Sequence, residues 1–77
     1  MVYVYLMELT DEKVTYRYHP DGGEDFGIVS LMRKTGKRIH DKPCPNYTSM
    51  FARHAWRLLA RYQEAGEFPE KGKIGWY

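Results

Sequence analysis

Val14-Thr15-Tyr16-Arg17-Tyr18-His19 alternates without a break, placing Val14, Tyr16 and Tyr18 on one face and Thr15, Arg17 and His19 on the other. Successive side chains of a strand point to opposite faces, so the pattern predicts a half-buried antiparallel strand whose apolar side needs cover. The preceding stretch, 2–9 (VYVYLMEL), is β-branched and aromatic and stays apolar on both faces until Glu8. It reads as a central strand of the same sheet, joined to the first stretch by turn chemistry at Thr10-Asp11-Glu12.

Downstream, Pro20-Asp21-Gly22-Gly23 is a turn signal, with Pro pre-set for a first corner and Gly free to take positive φ. A third strand is expected at 26–33 and a fourth at 37–40, joined by Lys34-Thr35-Gly36 with Gly36 in the left-handed position. Pro43 and Pro45 interrupt regular structure, and Asn46 or Thr48 can cap a helix. The spacing predicts that helix over 47–65, with Tyr47, Phe51, Ala55, Leu58, Leu59 and Tyr62 on one face and Gly66 as the stop. Residues 66–77 are too rich in Gly and Pro for a helix, yet end in large apolar residues and should dock.

The expected architecture is a single α+β domain spanning 1–77. An antiparallel meander of three to four strands packs against one C-terminal helix, followed by a docked tail. One helix covers one sheet face, so the other side of 2–9 calls for the tail or a second subunit.

Length and composition bound the function. At 77 residues, with seven Tyr, three Phe and two Trp, the chain builds its core from a few large rings and has no room for a deep cleft. Cys44 is the lone cysteine, so no internal disulfide forms and a reducing cytoplasm is expected. The N-terminal segment lacks the pattern of a signal peptide, and no apolar run reaches the ~18 residues of a membrane span.

The blocks Asp25-Phe26-Gly27-Ile28-Val29-Ser30, Arg53-His54-Ala55-Trp56-Arg57 and Gly66-Glu67-Phe68-Pro69-Glu70-Lys71-Gly72 through Trp76-Tyr77 resemble a group of short, uncharacterised bacterial proteins of the Firmicutes type. The resemblance implies a bacterial, cytoplasmic protein of unknown function and assigns no residue a role.

The small net charge of +2 conceals segregation: residues 1–26 carry −4, residues 27–63 carry +7 and the remainder −1. Arg53, Arg57 and Arg61 recur every four residues as a stripe, and Arg33, Lys34, Lys37 and Arg38 flank Gly36. Phosphate contact is one use of such bases; a solvated face partly paired with the acidic first hairpin is the other.

Trp56 lies about 130° from the centre of the expected apolar helix face, flanked by Ala52 and Ala60. Ile74, Trp76 and Tyr77 folding back, or a partner, would cover it. Tyr-rich strands also invite comparison with sheets that stack nucleic-acid bases, although no RNP-like motif is present. One cysteine beside His40 makes a weak metal set, and no nucleophile or phosphate-loop pattern occurs, so neither cofactor nor metal is expected. The leading expectation is a non-enzymatic protein-interaction or self-assembly module using Trp56, Ala52, Ala60, Ile74, Trp76 and Tyr77. The alternative is a weak nucleic-acid-binding module using the Arg stripe and the hairpin.

Overall fold

A computed structural model describes residues 1–75; Trp76 and Tyr77, expected above to help cover Trp56, lie outside the described residues. The elements run β1 (Val2–Leu9), β2 (Lys13–Pro20), β3 (Gly27–Met32), β4 (Arg38–Lys42), α1 (Ser49–Ala65) and β5 (Lys71–Ile74). They form one antiparallel sheet, in the order β4-β3-β2-β1-β5, with α1 on one side.

The α+β meander with one helix is as the sequence predicts, and β1 is interior to the sheet; Tyr47, expected on the apolar helix face, instead precedes the Thr48 cap of the helix and is exposed. The docked tail contributes a fifth strand, pairing Val2 with Ile74, Tyr3 with Lys73, Val4 with Gly72 and Tyr5 with Lys71.

Register explains the layering. Val4 faces Tyr18, Leu6 faces Tyr16, Tyr16 faces Val29 and Val14 faces Leu31, and all of these point toward the helix. Ala52, Ala55, Leu58 and Leu59 close the core from above. Gly27 leaves room for the Tyr18 ring, because a Cβ there would stand inside it. A β-bulge falls between Leu6 and Glu8 and another faces Ile28/Val29, so Asp41 and Lys42 both reach the face away from the helix.

Among the described residues, positive φ occurs at Asp21 and Gly22, at Gly36 in the β3–β4 turn as expected, at Asn46 and at Gly66. Asp21 (53°) and Gly22 (75°) occupy the centre of the β2–β3 turn, closed by the Gly23 N–H donating to the Pro20 carbonyl at 3.1 Å. Pro20 is therefore the last residue of β2 and not the first corner of the turn. The left-handed pair is the geometry Asp-Gly accepts most readily. Thr48 caps α1 by accepting from the Met50 N–H, and Gly66, at φ 76°, ends it.

Candidate functional site

The helix face is not centred where its largest residues suggest. Ala52 and Ala55, fully buried, form the contact line with the sheet, and Phe51, Tyr62 and Trp56 straddle it. The packed face is rotated by about 40° toward Trp56 relative to the sequence expectation. Small residues let the helix axis approach the sheet, so large rings flank the contact. Trp56 is accordingly half-buried: its Nε1–H donates to the Ser30 carbonyl at 3.1 Å, and its ring meets His40 edge-on at 5.4 Å. Ile74 is buried on the helix side opposite Val2, so neither Ala52 nor Ile74 is surface, whereas Ala60 is half-exposed.

The basic residues are similarly divided. Arg53, Arg57 and Arg61 are exposed along the outside of α1. Arg33 is engaged internally, donating to the Thr10 carbonyl at 2.8 Å and to Gln63 Oε1 at 3.2 Å, with Phe68 beneath its guanidinium. Arg38 lies over Trp56 at 5.9 Å. Lys34 and Lys37 remain exposed at the hairpin, where Glu12 lines the same depression as Lys34 and Thr35. The hairpin bases do not all join the helix stripe as one acid-free patch.

The buried polar groups near His40 satisfy one another. Tyr18 Oη accepts from the Cys44 N–H at 3.3 Å and lies 2.8 Å from His40 Nε2, to which its hydrogen can be donated. Burial pushes the Tyr18 hydroxyl and the Cys44 thiol up from their ordinary ranges, and Asp25 adds to the effect at Cys44. Both stay protonated near neutrality. Among the described residues no group of three or more His, Cys, Asp or Glu side chains is placed to hold a metal ion.

The face away from the helix carries a different assembly. Lys71, Tyr5, Arg17, Ile28 and Lys42 are direct cross-strand neighbours, one per strand across all five strands. Beside them runs Lys73, Tyr3 and His19, with Phe26 next to His19. The rings and cations interlock: Arg17 sits over Tyr5 at 5.0 Å and over Phe26 at 5.9 Å, and Lys42 Nζ lies 4.0 Å above Phe26. His19 stacks on Phe26 at 5.4 Å and meets Tyr5 edge-on at 5.3 Å. Its Nδ1 lies 2.8 Å from the Gly23 carbonyl, which can only accept, so Nδ1 carries the hydrogen.

Charge on this face is lopsided. Register and contacts place Lys13, Arg17, Lys42, Lys71 and Lys73 there, with the carboxylates Glu8 and Asp41, and Glu70 lines the edge beside Lys71 and Glu8. Glu8 pairs with Lys13 at 3.6 Å, and Asp41 accepts from Ser30 Oγ at 2.6 Å, while Ser30 in turn accepts from Thr15 at 2.8 Å. At the β1–β5 edge, Tyr3, Tyr5, Lys71, Gly72 and Lys73 line an open depression of about 390 Å³.

Sequence reasoning recognised the alternation of Arg17 and His19 but did not place Lys71 and Lys73 beside Tyr5 and Tyr3. The signal was their i, i+2 spacing, which puts both on one face of any strand they form. Comparison with family models, with curated proteins and with solved structures returns no match. No residue role is available to transfer, so the geometry alone supports a functional assignment.

Proposed function

We propose that the protein is a non-enzymatic binding module that takes single-stranded nucleic acid on the helix-free face of its sheet. The observation that carries this role is the row Lys71-Tyr5-Arg17-Ile28-Lys42, which alternates cation with ring or aliphatic side chain across five strands. Four inter-strand gaps make it about 19 Å wide. Cationic tracks interleaved with aromatic side chains suit a polymer that is anionic along its backbone and flat at its bases. A second copy of the same cationic face would be repelled, which disfavours face-to-face dimers. A cytoplasmic setting fits this role, since Cys44 is a buried free thiol. Among the described residues no helix is long and apolar enough to cross a membrane.

Anisotropy of a labelled oligothymidylate tests the assignment. Binding should weaken with a log–log salt slope of up to about −3, at roughly 0.7 per phosphate neutralised by Arg17, Lys42, Lys71 and Lys73. Arg17→Gln or Lys42→Gln should flatten the slope by about 0.7 each, whereas Arg57→Gln should leave it unchanged. No binding at low salt, or equal binding of poly-glutamate, overturns the assignment.

A second reading, self-assembly, draws on Met7 and Leu9, 52% and 45% exposed where β1 runs beyond the end of β5. The occupant would be a second copy. It predicts a concentration-dependent mass in sedimentation that Met7→Lys abolishes, and a strict monomer at high micromolar concentration removes it.

A further inference from the structure

We infer that the depression between β1 and β5 is a single-nucleotide subsite, with Tyr3 as the stacking surface for the base and Lys71 and Lys73 as holders of the flanking phosphates. This rests on the proposed nucleic-acid role and specifies where on the face one unit of the polymer is gripped. Its volume of about 390 Å³ lies within the ~300–1,000 Å³ of small-molecule sites.

The rings of the face are not equivalent. Phe26 is already covered by His19 and Lys42, and Tyr5 is met by Arg17 and by the edge of His19. Among the described residues no ring or cation is stacked on Tyr3. Its ring is nevertheless held in place, because it packs on the left-handed Gly22 of the β2–β3 turn, where a Cβ would come within 3.2 Å of it. That turn is fastened in turn to β1 by the Asp21 N–H donating to the Met1 carbonyl at 2.7 Å. A ring held in place and stacked on no described ring or cation suits base stacking at low entropic cost.

The cations complete the geometry. Lys73 pairs across from Tyr3 and Lys71 from Tyr5, so one lysine shares the face with each ring, and all four line the depression. Gly72, between them, directs its missing side chain toward Tyr62 and Leu58 on the helix side, which leaves backbone lining the depression. Glu8 and Glu70 line the neighbouring notch together with Tyr5 and Lys71, so the Lys73 end of the depression is the one farther from these carboxylates.

Amide chemical-shift mapping of the ¹⁵N-labelled protein tests this with three probes: thymidine 5′-monophosphate, inorganic phosphate, and an oligothymidylate of about eight nucleotides. The monophosphate should shift Tyr3, Gly22 and Lys71 to Lys73, inorganic phosphate should not shift Tyr3, and the oligomer should shift the same set and continue toward Arg17 and Lys42. Tyr3→Ala should weaken the oligomer about tenfold, within the range for one lost base stack. Lys73→Gln, at an exposed position that leaves the core intact, should flatten the salt slope by about 0.7 and remove the monophosphate shifts. Oligomer binding with shifts confined to Phe26 and Lys42 overturns the subsite and leaves the wider platform standing. Phosphate alone reproducing the Tyr3 shifts also overturns it, and absence of oligomer binding overturns both.

Discussion

At the scale of single residues, Gly27 is under a tight constraint. The Tyr18 ring fills the space a side chain would need, and that ring cannot swing away because its hydroxyl is held between the Cys44 N–H and His40. Gly27→Ala should therefore cost about 1–3 kcal/mol, as other overpacked sites do, read as a lowered urea midpoint at unchanged slope. The sequence offers Gly27 only as the start of a strand, since nothing local says which ring crosses it. Trp56 teaches the complementary lesson. Ranking helix positions by size put it off the core, whereas packing is led by Ala52 and Ala55, because a helix lies closest to a sheet where its side chains are shortest.

At the scale of elements, the first four strands and the helix are legible: β1 from its β-branched and aromatic run, β2 from its period of two, β3 and β4 from the turn residues around them, and α1 from the 3.6 period of its apolar positions. The fifth strand is not. Lys71-Gly72-Lys73-Ile74 has a single apolar side chain, and its strand conformation comes from the free edge of β1 and from the space Gly72 leaves for Tyr62. The cationic face was invisible for the same reason, since two of its lysines arrive with β5. The link between α1 and β5 is anchored by Tyr16, whose hydroxyl donates to the Pro69 carbonyl at 2.5 Å. Tyr16→Phe removes that donor and should lower stability by about 1 kcal/mol. The loss should appear as faster amide exchange in β5, with β2 and β3 less affected.

At the scale of the whole molecule, the aromatic core sets the pH range of stability. Burial raises the hydroxyl pKa of Tyr16, Tyr18 and Tyr62. Each is neutral in both folded and unfolded chains below about pH 10; above it the unfolded chain ionises first, so stability falls as pH rises. Thermal midpoints should drop steeply in this range, with the loss smaller in Tyr16→Phe. His54 acts at the other end, held below the usual imidazole range by burial first, then by Arg57, Arg53 and the N-terminal ammonium. Its contribution is complete above about pH 6.5 and declines as pH falls through the folded value, because the unfolded chain takes up the proton more readily. His54→Gln should flatten the acid limb of the curve without moving the alkaline one.

The pairing of β1 with β5 also sets an order of assembly. β2, β3 and β4 meet their neighbours through short connections, but Val2 meets Ile74 only after the rest of the sheet and the helix lie between them in the chain. Contacts of such sequence separation carry the largest loop-closure cost and form late. Until they form, Val2 to Leu6 stands as an apolar strand with an open edge, the kind of template on which chains add to one another. Lys71 and Lys73 then double as guards: the strand that closes the edge carries the charge that discourages a foreign strand from taking its place.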